Sequence, residues 1–151
     1  MDQVPRLATV DDLPSWLELA AEVESLFGPM PGFDDQLHRA VERGTALVMA
    51  TTADGVIGGT LLSRDGRPHH INWLAVRNAQ RRHGVGSVLM TAILDRWPTG
   101  TIEVVTFTAD LDEGRPARKL YERFGFVCHG LTTPAPDGGA RDLFVLHRDP
   151  A

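Results

Sequence analysis

The run His69-His70-Ile71-Asn72-Trp73-Leu74-Ala75-Val76 reads as a strand, and a short loop carries it into Gly84-Val85-Gly86-Ser87 and a helical pattern. Over Gly84 to Arg96 the apolar residues Val85, Val88, Leu89, Ala92 and Ile93 gather on one helix face, and a β-branched run, Ile102 to Thr108, follows. Strand, helix, strand in that order needs a crossover, which restricts the chain to folds that cover a sheet with helices.

The flanking segments fit that frame. Val4 to Ala8 reads as a short first strand. Asp11 or Asp12 serves as an N-cap, with Pro14 in the first turn, for a helix carrying Leu13, Trp16, Leu17, Leu19, Ala20, Val23, Leu26 and Phe27 at helical spacing. Gly28-Pro29-Met30-Pro31-Gly32 stops it, and Phe33 to Arg43 forms a second helix that ends at Gly44. Ala46–Thr52 and Val56–Ser63 are strands joined at Asp54-Gly55. Arg115 to Phe124 is a short helix closed by Gly125, and Phe126–Leu131 and Leu143–His147 are the last strands. The predicted order is β-α-α-β-β-β-α-β-α-β-β, an α/β (α+β) fold on a mixed sheet. The 151 residues suit one domain, 1–151.

Composition excludes several function classes. With 42% hydrophobic and 23% charged residues the chain is neither disordered nor fibrous. No apolar run approaches the roughly 18–20 residues of a membrane span, so no membrane partner is expected. The N-terminus lacks a signal-peptide pattern, and a lone cysteine, Cys128, permits no intrachain disulfide. A cytoplasmic protein is expected. Residues 1–35 hold eight acids against Arg6, a net of −7, whereas the whole chain is −5 and the remainder therefore +2. That balance argues against a nucleic-acid partner and suits a cation met on one side and an anion on the other.

The strand-to-helix junction is an anion site in physical terms. The first amides of a helix have no intrahelical acceptor, and the helix dipole favours negative charge there. Gly84 and Gly86 let a phosphate approach the backbone, and Arg81 and Arg82 add charge. No Lys-Ser/Thr follows the glycines, so this is not a P-loop. Leu89 stands where a dinucleotide fingerprint needs its third glycine.

These residues resemble the GNAT superfamily, the acyl-CoA-dependent N-acetyltransferases. Leu74-Ala75-Val76 followed by Arg81-Arg82-His83-Gly84-Val85-Gly86 is similar to that family's Arg/Gln-x-x-Gly-x-Gly/Ala motif. Ala117-Arg118-Lys119-Leu120-Tyr121-Glu122-Arg123-Phe124-Gly125-Phe126 is similar to its second signature, and Arg6 to Pro14 is typical of its opening. The resemblance implies a GNAT-type mixed, splayed central β-sheet flanked by helices, with acetyl-CoA held in the split as co-substrate and no metal.

Residue by residue, the resemblance implies that amides from Arg82 to Ser87, including His83, Gly84, Val85 and Gly86, cradle the pyrophosphate, with Arg81 beside them. Leu74, Ala75 and Val76 would lie along the pantetheine arm, and donors near Val76 would polarise the thioester carbonyl. Tyr121, the only tyrosine, would protonate the leaving thiolate. For the base, His70 is the first candidate and Glu103 the second. Strand alternation puts His70, Asn72, Leu74 and Val76 on one face, with Asn72 orienting water or substrate. His69 falls on the other face, so the pair cannot chelate one metal. Gly114 stands where many members carry an asparagine.

Glu22, Phe27, Met30 and Phe33 are expected at the acceptor lip, and the loop from Pro134 to Gly139 would close the far side. Trp16, Trp73 and Trp97 are expected in the core, and Cys128 in packing rather than as a nucleophile. The expected activity is acetyl transfer to a primary amine of a small cationic molecule or a peptide N-terminus, in a chain free to form a homodimer. Two alternatives stay open: an acyl-CoA-binding regulatory module without turnover, and an enzyme using a longer acyl-CoA.

Overall fold

A computed structural model describes residues 4–28, 30–64, 66–80, 83–135 and 139–148, and the backbone alone at residues 26 and 27. The elements are β1 (Arg6–Leu7), α1 (Leu13–Phe27), α2 (Phe33–Arg43), β2 (Ala46–Thr51), β3 (Gly55–Leu62), β4 (His69–Val76), α3 (Val85–Arg96), β5 (Gly100–Phe107), α4 (Arg115–Arg123), β6 (Val127–Thr132) and β7 (Arg141–Arg148). Their order is the expected one, and the bounds of α2 and β4 coincide with the sequence reading. The strands form one seven-stranded mixed sheet, β1-β2-β3-β4-β5-β7-β6, in which only β4 and β5 run parallel. No helix among the described residues is long and apolar enough to cross a membrane.

Helices cover both faces of the sheet. α1 and α2 bury Trp16, Leu19, Val23, Phe33 and Leu37 against Val48, Leu61, Trp73 and Ala75. On the other face, Met90, Ile93, Trp97 and Tyr121 pack against Leu62, Ile71, Ile102, Val104 and Phe144. All three tryptophans are buried, as expected. Each fully buried Leu or Ile contributes roughly 1.5–3 kcal/mol.

The sheet needs two adjacent glycines to accept helices so closely on both sides. A Cβ on Gly58 would lie 2.8 Å from Val85 of α3, and one on Gly59 would lie 2.7 Å from the Trp16 ring of α1. Neighbouring strand residues point to opposite faces, so Gly58-Gly59 brings both helix layers against β3.

Two irregularities shape the centre. β4 and β5 pair only from His69 to Ile71 against Ile102 to Val104, and beyond that rung they splay apart. Asn72 is a β-bulge, because Trp73 opposes Leu61 while Ile71 opposes Leu62. The extra residue corrects the alternation expected from sequence. Ile71 joins the α3-side core, whereas Trp73 and Ala75 join the α1/α2 side. Leu74 and Val76 therefore pack toward α3, and His70 falls on the α1/α2 side, not with them.

Candidate active site

The splay between β4 and β5 opens a cleft of about 940 Å³, within the range of small-molecule sites. Its floor is Ile71 to Val76 and Val104 to Phe107, and α4 and the turn into α3 form its sides.

The edge of β4 facing this cleft is an unpaired strand. Arg77 N–H donates to Ile57 O at 2.8 Å and continues the β3–β4 ladder in the register that pairs Gly59 with Ala75 and Leu61 with Trp73. In an antiparallel ladder the bonded residues alternate, so 73, 75 and 77 turn to β3 and the amide edges of Leu74 and Val76 face the split. An extended amide-bearing chain can add there as a strand.

The first residues after β4 are tied to α1 and β3. The Arg77 guanidinium donates to Val56 O at 2.6 Å and to Ser15 O at 3.2 Å, and it lies near Glu18 and Glu22. The Glu22 carboxylate accepts the Asn78 N–H at 2.7 Å. Glu22, expected at the acceptor lip, thus fastens α1 to this loop and does not line the cleft.

At the end of the loop, Gly84 adopts φ +81 as the N-cap of α3, where a Cβ would meet nothing within 4 Å. Its role is conformational, since other residues pay about 1–2 kcal/mol in that region. Val88 N–H reaches Gly84 O at 3.0 Å, which leaves the amides of Val85, Gly86 and Ser87 without helical acceptors, and no side chain caps them. Gly86 has a different reason. A Cβ there would lie 3.2 Å from Leu120, so this glycine lets α3 and α4 approach. His83 is exposed and does not line the cleft. Arg81, Arg82 and the Phe27 side chain lie outside the described residues.

Tyr121 sits in α4 with 4% exposure, its ring against Phe126 and Phe144, and it lines the cleft. Burial pushes its phenol above the ordinary value, which keeps the proton on oxygen. α4 is anchored by Arg118, which donates to Phe107 O at 2.8 Å and Asp142 at 2.7 Å. Burial works against the Arg118 charge, but Asp142 and the neighbouring Cys128 raise its proton affinity overall. Cys128 itself is exposed on β6 and does not line the cleft. Gly114 is pressed against Phe107, whose side chain a Cβ would meet at 2.5 Å. No side chain fits there.

His70 Nδ1 lies 3.7 Å from the Glu103 carboxylate, at a paired rung of β4 and β5 just before the splay. The structure brings the two base candidates together on one face. Both are partly exposed, and neither lines the cleft directly. Met30, Phe33, Asn72 and Trp73 do line it.

The sequence profile of the acetyltransferase (GNAT) domain matches residues 42–128, more than half of the chain. The chain belongs to the GNAT acetyltransferase family. Solved structures agree in fold across nearly the whole length. A GNAT-family acetyltransferase from Bacillus cereus is 17% identical with a TM-score of 0.78, covering 98% of this chain and 99% of its own. Ard1 from Thermoplasma volcanium is 24% identical with a TM-score of 0.76, covering 97% of each. Naa50 from Arabidopsis thaliana, in complex with the bisubstrate analogue CoA-Ac-MVNAL, is 16% identical with a TM-score of 0.74, covering 97% and 99%. No curated protein matches in sequence.

Within this GNAT domain, the cations of α4 were absent from the sequence reading. Arg115, Lys119 and Arg123 line the cleft, and Arg123 donates to the Ser87 hydroxyl at 3.0 Å beside the α3 amides. Their i, i+4, i+8 spacing was visible as a basic stripe, but only the packing of α4 shows which way it faces.

Proposed function

We propose that this protein transfers an acetyl group from acetyl-CoA directly to the primary amine of a small molecule or peptide N-terminus. The observation that carries the reading is the split after Ile71. It joins an unpaired strand edge, a row of free helix amides and a buried tyrosine hydroxyl in one cleft. The Leu74 and Val76 edges suit the amides of a pantetheine arm, and the α3 N-terminus with Lys119 and Arg123 suits its phosphates.

In the reaction the amine nitrogen attacks the thioester carbonyl carbon, the C–S bond breaks, and an amide and a free thiol result. Tyr121 gives its proton to the departing sulfur and regains one from the acylated nitrogen as the amide forms. Burial keeps the phenol protonated, so the proton is in place when negative charge forms on the sulfur. The His70–Glu103 pair takes the ammonium proton through water, with Asn72 orienting that water at the bulge. Lone Cys128 and the water-borne coenzyme fit action in the cytoplasm.

The test combines calorimetry with thiol release. Acetyl-CoA should bind with micromolar affinity, and Tyr121→Phe should lower kcat by about 10²–10³-fold while leaving that affinity unchanged. Full turnover in Tyr121→Phe would remove the tyrosine from the mechanism, and a protein that binds no acyl-CoA would overturn the whole reading.

A further inference from the structure

Val105 is 51% exposed although β5 is an interior strand bonded to β4 and β7. Ile102 and Val104 are buried under α3 and α4, so Val105 points to the opposite face, the face of Glu103 two residues earlier. It lines the cleft, and it is not alone there. Met30, Pro31, Phe33, Trp73 and Pro134 continue an apolar wall contributed by the α1–α2 connection, α2, β4 and the β6–β7 loop. The polar end of Trp73 is already engaged, its indole N–H donating to Met30 Sδ at 3.4 Å.

Among the described residues, carboxylates near this wall are few and mostly paired. Asp12 is bound by Arg6, Glu18 and Glu22 lie at Arg77, and Asp34 pairs with His38. Among the described residues the carboxylates lining the cleft are Asp112 and Glu113, which precede α4, and Asp112 is paired with Arg115 at 3.1 Å. The carboxylate on the face of Val105 is Glu103, itself beside His70. A second or third positive charge laid on Val105, Met30 and Phe33 would rest on apolar side chains, which offer it no counter-charge.

Resting on the acetyltransferase reading, we infer that the acceptor is a monoamine whose amino-bearing carbon carries an apolar or aromatic group seated on this wall, and that Val105 determines this specificity. The apolar group gains by leaving water, and the amine is left at the His70–Glu103 end. Polyamines and aminoglycoside-like polycations are disfavoured by the same wall.

The experiment compares kcat/KM for 2-phenylethylamine and spermidine with saturating acetyl-CoA, in the wild type, Val105→Thr and Val105→Asp. The wild type should favour 2-phenylethylamine at least tenfold. Val105→Asp should shift the ratio of the two values toward spermidine by at least tenfold, and Val105→Thr, which keeps the β-branched shape, should shift it less in the same direction. Acetyl-CoA titrations on each variant separate this inference from the reading it rests on. Bound acetyl-CoA with spermidine preferred, with neither amine acetylated, or with an unchanged ratio in both variants would overturn the acceptor class alone. Absence of acetyl-CoA binding to the wild type would remove both.

Discussion

The two walls of the split are built from different materials. On the β4–α3 side the polar groups offered to the cleft are backbone: the edges of Leu74 and Val76 and the amides of Val85, Gly86 and Ser87, backed by cations on α4. On the side reached from α1, α2 and the β6–β7 loop they are side chains, Val105, Met30, Phe33 and Trp73 among them. Backbone groups are indifferent to most substitutions, so a wall made of them can hold an invariant ligand while the sequence around it drifts. A wall made of side chains changes with every substitution. The first is therefore suited to the common coenzyme and the second to a particular acceptor.

That division can be broken from either side. The largest effect is expected from Gly86→Leu, because even a Cβ would lie 3.2 Å from Leu120, and a longer side chain must force α3 and α4 apart. Overpacking of this kind costs about 1–3 kcal/mol. Acetyl-CoA affinity should fall roughly tenfold or more while the ratio of amine specificities stays constant. An unchanged dissociation constant would show that the α3–α4 junction is not the coenzyme wall.

A smaller effect is expected from removing Lys119 and Arg123 together. Both line the cleft at a solvent-accessible mouth, so the pair should raise KM for acetyl-CoA about fivefold, an effect that shrinks as salt is added. Amine KM values should not move. A shift confined to the amine would exchange the roles assigned to the two walls.

The smallest effect lies outside both walls and serves as a control. Two hydrogen bonds from Arg6, at 2.8 and 2.9 Å, hold the Asp12 carboxyl below its usual value against the opposing effect of burial, with Thr9 N–H assisting. A depressed carboxylate contributes stability that is present above the unfolded value, about 4, and is lost as pH falls through the folded one. Melting temperatures measured from neutral to acid pH should therefore drop more steeply for the wild type than for Asp12→Asn, with neither KM altered. Equal slopes would remove Asp12 from the acid limb.

The same contrast explains which features the sequence alone made legible. The strand–loop–glycine–helix junction was legible because free helix amides and a left-handed glycine are local properties of the chain. That Tyr121 lines the cleft agrees with its singling out as the one tyrosine, in a helix with a recognisable ending. The orientation of His70 was not legible. Strict alternation holds only along an unbroken pleat, and the bulge at Asn72 moves His70 to the face opposite Leu74 and Val76. Glu22 was misread for a related reason: its sequence position near the first helix break says nothing about the Asn78 amide it binds 56 residues later.

By itself the sequence determined the order of the elements, the glycine-led start of α3 and the family, since these follow from periodicity, turn chemistry and short motifs. Tertiary structure alone decided that His70 meets Glu103, that Gly86 serves helix packing, and that a half-exposed valine on an inner strand lines the cleft. Those outcomes depend on a bulge, on where β4 parts from β5, and on which side chains distant in sequence are left along the gap. No local pattern encodes such contacts, because each is set by the packing of several elements at once.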